Sequence, residues 1–249
     1  MTTIKLSAIS TRAQKSLNKE KIKAKTANLL AELNELQNLL FAENKHSILI
    51  VVQGMDASGK DGVTRNVFGK LNPQGVRVES FKVPTALELS HDFLWRIHQH
   101  APPKGMIQIF NRSHYEDILV TRVHKLIDDE IAVKRMSAIN DFEELLTKHN
   151  NTHILKFYLH ISPEEQQVRL KERINDPTKQ WKYNENDFAE AKHWKDYMKV
   201  YEDCFKNCNI IPWTIVPADQ NWYKEYIIAD LLHKTLTSLK MQYPGLKKS

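Results

Sequence analysis

Two hydrophobic rhythms alternate along the chain. Residues 48–52 form an unbroken apolar run rich in β-branched side chains, which reads as a strand buried on both faces. Short apolar runs at 76–83, 106–110, 153–161 and 210–216 predict four more strands, and Pro212 puts the last near an edge or a bulge. Between the runs, apolar residues recur three and four apart. Leu29, Leu33, Leu36 and Leu40 line one face of a helix predicted over 18–43. Further helices are expected over 61–71, 87–98, 134–149, 163–175, 187–206 and 221–240, and another runs from about 117 through Val123 and Leu126. Phe93, Leu94 and Ile97 point the 87–98 helix at the core; Ile228, Leu231, Leu232, Leu236 and Leu239 do so for the last. Ser162, Pro163, Glu164 and Glu165 give the 163–175 helix a capping serine, a first-position proline and an acidic first turn. Asp187 reads as the cap of the next long helix. Residues 1–16 look irregular, and 243–249 read as a loose basic tail.

Strands alternating with helices predict an α/β fold, a parallel sheet covered on both faces in three layers. Ligands of such sheets bind at the carboxyl ends of the strands. A length of 249 residues suits one domain spanning 1–249, with a helical extension over about 1–45 and a helical lid inserted at about 171–190.

The 48–52 run leads straight into Gly54, Met55, Asp56, Ala57, Ser58, Gly59 and Lys60. Two glycines five apart with lysine directly after is the spacing of a phosphate loop, and a strand before it with a helix behind makes the spacing specific. Three of the chain's 7 glycines lie between Gly54 and Gly62, where the backbone must turn tightly and bring bare amides against phosphate oxygens. The helix that follows aims its first amides at the same anion. This makes the fold kinase-like. One position departs from the usual pattern: Asp61 stands where Ser or Thr commonly ligates magnesium. A polyanion loop that carries Asp56 and Asp61 calls for a metal, since bare carboxylates repel phosphate.

Charge and cysteine content change this picture little. The formal net charge of +6 favours anionic substrates without naming one. Six basic residues and one acid lie between Arg12 and Lys25; Lys15, Lys19 and Lys23 recur at four-residue spacing and would share a face if the helix began that early. They are solvated surface charge or a track for a long polyanion. Cys204 and Cys208, the 2 cysteines, lack a disulfide framework and read as reduced residues of a cytoplasmic protein. Met1 to Lys5 has no apolar signal core, and no stretch reaches membrane-span length. No aromatic-basic stacking surface points to nucleic acid.

Phosphoryl transfer needs in-line positioning and neutralised charge. The predicted strand ends supply both. Lys60 would neutralise phosphate, and Arg112, directly after a core strand, would join it; Lys82 and Asn111 sit at the same edge. Asp56 and Asp117 are the metal-ligand candidates, although Asp117 also reads as an acid at a helix N-terminus. His114 reads as a packing or hydrogen-bonding residue. The stretch from Lys171 to Lys182 looks like a lid, with Arg173, Lys179 and Lys182 able to reach the transferring phosphate. The main-chain site is expected at Gly54, Ala57, Ser58, Gly59, Asp61 and Gly62.

Several blocks together resemble the polyphosphate kinase 2 family. They are the loop from Gly54 to Gly62 with aspartate after its lysine, Phe81 to Thr85, His91 to Arg96, Phe110 to Asp117, and Glu172-Arg173 through Asp176-Pro177, Lys179, Trp181-Lys182, Asp187 and Trp194. The resemblance spans about 50–217. It implies reversible, magnesium-dependent transfer of the terminal phosphate of inorganic polyphosphate to a nucleotide, and a homo-oligomer, dimer or tetramer. Some members carry aspartate where this chain has Asn111. The short form resembles single-domain members, some of which accept both mono- and diphosphates. The residues by themselves also fit an ATP-dependent kinase of the same fold, or a nucleotide- or polyphosphate-binding module without catalysis.

Overall fold

The computed structural model describes residues 4–246; the expectations for 1–3 and 247–249 lie outside them. Strands β1 (Ser47–Gly54), β2 (Val76–Ser80), β3 (Ile107–Asn111), β4 (Thr152–His160) and β5 (Trp213–Pro217) make one sheet among the described residues. Its order is β2-β3-β1-β4-β5, and every neighbouring pair is parallel. The centre goes to β1, all of whose residues are buried, as an uninterrupted apolar run requires. The strand carrying Pro212 at its entrance lies on an edge.

The helices are α1 (Lys19–Glu43), α2 (Lys60–Asn66), α3 (Ala86–Leu89), α4 (Trp95–His98), α5 (Glu116–Val123), α6 (Asp129–Asn150), α7 (Pro163–Asn175), α8 (Glu185–Ala191), α9 (Trp194–Asn207) and α10 (Asn221–Ser238). One layer is built on α1 and α10, with α2 beside them; α5, α6 and α9 form the other. Leu29, Leu33 and Leu40 are buried as expected, and Ile228, Leu232 and Leu236 meet them from α10. Asn18 caps α1, so Lys15 lies outside the helix and does not share a face with Lys19 and Lys23.

Two expected helices are each broken in two. Thr85 and Glu88 close a capping box on α3, and the Asp92 carboxylate then accepts the Leu94 N–H, so a turn separates α3 from α4. The 187–206 helix splits at Lys192 and His193 because its halves serve different bodies. Nothing on α8 is buried, whereas α9 sinks Tyr197, Val200, Tyr201, Cys204 and Phe205 into the core. Asn184, not Asp187, caps α8. At the other end of the chain the irregular N-terminal segment is pinned. Leu6 is buried, His160 Nε2 meets the Leu6 and Ile9 carbonyls, and Thr11 bonds Asp219 just past β5.

Beneath the β3–α5 corner lies a buried polar cluster. Lys156 points from β4 into the interior with its side chain wholly covered. Its Nζ donates to Glu143 Oε2 at 2.7 Å, to the Tyr115 hydroxyl at 2.8 Å and to the Cys208 carbonyl at 3.0 Å. The Tyr115 hydroxyl in turn donates to Glu143 Oε1 at 2.7 Å. Burial opposes ionisation of Glu143, yet His114 and Lys156 hold its carboxyl below the usual range. The cluster ties α6 and β4 to the turn at Ser113, His114 and Tyr115. Glu143→Leu alone strands a buried cation and should cost about 3–5 kcal/mol, whereas adding Lys156→Met should recover most of it. Urea unfolding measures both, and a single variant as stable as the parent would show that the pair does not hold the corner.

Candidate active site at the carboxyl end of the sheet

The loop after β1 has a shape only particular residues tolerate. Gly59 sits at φ 97°, a conformation costly for any other residue type. A Cβ on Gly54 would lie 2.8 Å from Ser58 Oγ and 2.9 Å from the Leu159 carbonyl, so loop and β4 pass too close for a side chain. Lys60, first residue of α2, is buried and turns back along the loop. Its Nζ donates to the Gly54 carbonyl at 2.7 Å and the Met55 carbonyl at 3.2 Å. Burial, then the Arg112 charge, pull its amine down to about 8.

From β3 comes Arg112, held at φ 64° in left-handed backbone, a strain that positions a functional side chain. Its guanidinium pairs with Asp56 at 2.5 Å and with Glu116 at 3.4 Å. Burial works against its charge, but Glu116 and Asp56 hold it firmly protonated. Asp56, Arg112 and Glu116 line one cleft with Gly54, Met55, Leu119, Val120, Glu190, Tyr197 and Tyr201. Asp117, expected beside Asp56, faces elsewhere. Its carboxylate lies between Arg96, at 3.4 Å, and Arg135, at 3.9 Å. Burial raises its pKa despite the two arginines. Neighbouring residues in the first turn of α5 project about 100° apart, so Glu116 reaches the cleft where Asp117 was expected.

Asp61 faces the strand ends and the lid together. Asn111 Nδ2 donates to its Oδ1 at 3.0 Å, and Lys182 Nζ to its Oδ2 at 3.0 Å. Burial pushes its pKa up, but Lys182 and Asn111 bring it below the usual range. Lys182 therefore ties the lid to α2. Arg173 pairs with Asp187 and also meets the Lys182 carbonyl; burial, then the nearby charge of Asp56, raise the Asp187 pKa. Lys179 stays within the lid, paired to Glu172 and Asp176. Lys82 is exposed at the β2 end, and its carbonyl takes a hydrogen bond from Arg96. The cleft lined by Asp56, Arg112 and Glu116 holds about 20 Å³, room for one water. A larger cavity, about 380 Å³, lies at the opposite end of the sheet around His46 and His153, away from the loop.

The structure thus brings Lys60, Asp56, Asp61, Asn111, Arg112 and the lid residues Arg173 and Lys182 to one edge, and leaves Asp117, Lys82 and Lys179 at its margins. Glu116, Glu190, Tyr197 and Tyr201 were not read from the sequence. The four-residue spacing of the two tyrosines was the available signal.

The model for polyphosphate kinase 2 matches residues 16–245. The chain belongs to the polyphosphate kinase 2 family. A solved polyphosphate kinase 2 from Arthrobacter aurescens superposes with a TM-score of 0.95 at 40% identity, covering 99% of this chain and 89% of that one. Among curated relatives, an AMP/ADP-polyphosphate phosphotransferase of Meiothermus ruber is 47% identical over 88% of this chain and 82% of its own. An ADP-polyphosphate phosphotransferase of Rhodopseudomonas palustris is 44% identical over 85% and 78%. The resemblance read from the motifs is borne out over nearly the whole chain. No helix of the described residues is long and apolar enough to cross a membrane.

The Lys60 amine gives this polyphosphate kinase 2 site a pH signature. An anion beside it favours the protonated form, so binding takes up a proton once the pH exceeds about 8. The affinity for long polyphosphate, whose internal phosphates stay ionised throughout, should fall about tenfold from pH 7 to pH 9. Calorimetric titration measures it. In Lys60→Arg, whose guanidinium stays charged, this step should shrink; an identical pH profile there would remove Lys60 from the anion site.

Proposed function

We propose that this chain transfers the terminal phosphate of inorganic polyphosphate to a nucleoside diphosphate, reversibly, and to a monophosphate as well. The observation that carries the reading is the meeting of Lys60, Arg112 and a lid bearing Arg173 and Lys182 over one phosphate loop. Its relatives' names supply the substrates: polyphosphate with ADP, and for the Meiothermus relative AMP too.

Such a transfer asks for aligned oxygens and neutralised charge more than for covalent chemistry. The loop amides and Lys60 are suited to grip the donor chain. Arg112, anchored by Asp56 and Glu116, faces the phosphate that moves, and Arg173 approaches from the lid. Closure through Lys182 and Asp61 would exclude water, so that phosphate passes to the nucleotide and not to solvent.

Magnesium fits the donor set. Asp56 and Glu116 offer hard oxygens on one cleft, and this ion commonly takes one or two carboxylates with substrate phosphates and water. When bound, it would neutralise charge on the phosphate oxygens at the transfer point. The reading thus replaces Asp117 with Glu116 beside Asp56. Association into a dimer or tetramer, and a cytoplasmic setting, belong to the same proposal.

The test is ATP formation by the purified protein from polyphosphate and ADP, with no ATP supplied and magnesium varied. Product is expected, and Asp56→Asn should raise the magnesium needed for half-maximal rate by about tenfold. A protein that makes no ATP from polyphosphate and ADP, yet turns AMP into ADP when ATP is the donor, would be a nucleotide kinase instead.

A further inference from the structure

The back of the phosphate loop is built as carefully as its front. Gln166 of α7 donates to the Asp56 carbonyl at 3.0 Å. Arg169, one turn on, donates from Nη1 to the Ala57 and Ser58 carbonyls at 3.1 and 3.2 Å. Its Nη2 reaches the Ala218 and Asp219 carbonyls beyond β5 at 2.8 and 2.9 Å. Lys224 of α10, wholly buried, donates to the Ser58 carbonyl at 3.1 Å and the Gly59 carbonyl at 3.4 Å. With Lys60 on Gly54 and Met55, each carbonyl from Gly54 to Gly59 accepts a side-chain N–H.

A peptide unit is planar and trans, so its carbonyl and its N–H point opposite ways. Pinning the carbonyls of Asp56, Ala57 and Gly59 from behind turns the N–H groups of Ala57, Ser58 and Lys60 forward; pinning Ser58 does the same for Gly59. The Ser58 N–H closes a turn onto Met55. The amides of Ala57, Gly59 and Lys60 then remain as a forward-facing set for anion oxygens. The packing leaves no slack: a side chain on Gly59 would collide with Lys224 Nζ, so glycine is needed there for the clamp as well as for its φ. Burial, then the neighbouring Arg169, pull the Lys224 amine down to about 7. Two cations crowd a dry space, and an anion on the far side of the loop relieves their repulsion.

We propose that Gln166, Arg169 and Lys224 are positioning residues that orient the phosphate-loop amides for the polyphosphate chain. The proposal rests on the functional reading above. None of the three touches the transferred phosphate; they act through the loop. Loss of one should therefore weaken the hold on polyphosphate more than that on the nucleotide.

Steady-state kinetics of Lys224→Met and Arg169→Gln, with polyphosphate and ADP varied in turn, reads this beside melting temperature. The KM for polyphosphate should rise about tenfold or more, that for ADP less than about threefold. Arg169→Lys, which keeps charge and one arm's reach, should fall between parent and Gln variant. Parallel rises in both constants, or a lower melting temperature with both constants unchanged, would overturn the clamp. If a variant fails to fold, Gln166→Leu removes a single bond and is judged by the same split. Calorimetry with long polyphosphate separates the two claims. A parent that binds polyphosphate without transferring it overturns the transfer reading alone. Variants that bind it as tightly as the parent overturn the clamp alone.

Discussion

Positive charge packed around a short loop is the constraint on which the rest of this structure depends. Lys60, Arg112, Arg169 and Lys224 converge on the segment from Gly54 to Gly59. Cations so placed repel one another and lose hydration, and each is offset locally. Carbonyl dipoles receive Lys60 and Lys224, Glu165 receives Arg169 at 2.9 Å, and Asp56 with Glu116 receives Arg112. The offset is incomplete at the two lysines, whose pKa values fall well below the ordinary lysine value. A polyanion supplies what the protein leaves uncompensated, which ties the stored electrostatic cost directly to binding.

The scaffold serves that loop from all sides. The central strand delivers it, the β3 end brings Arg112 in a left-handed conformation, and the buried Lys156, Glu143 and Tyr115 cluster lies beneath the turn that follows. Helices α7 and α10 reach under it, and the N-terminal segment locks the turn that Arg169 also grips, through Thr11 and Asp219. The segment after α7 meets α2 where Lys182 bonds Asp61, the residue standing where a hydroxyl usually ligates metal. In this chain that position bonds Lys182 and Asn111, and Glu116 lines the cleft beside Asp56.

How much of this was legible in the sequence follows from what each feature depends on. The β1 run, the loop glycines and Lys60 are local, and they were read at their true places in the fold; so were the parallel sheet and the capped start of α7. Helix breaks at Ser90–Asp92 and at Lys192–His193 depend on which body each half packs against, and a single periodic pattern does not carry that. Glu116 and Asp117 are adjacent acids whose fates divide on a rotation of one residue. Lys156 and Lys224 are the deepest cations of the fold, yet in sequence each resembles a solvated surface lysine; their burial is set by tertiary neighbours far along the chain. Arg169 lay within a segment read only as a helix leading to the lid.

The central claim is that the loop and its lysine grip the donor phosphates, and the turnover of Lys60→Ala with polyphosphate and ADP tests it most directly. Removing a cation from a dry phosphate site should lower kcat by about two decades or more while the melting temperature stays close to that of the parent. Near-normal turnover in a folded Lys60→Ala protein would contradict the account.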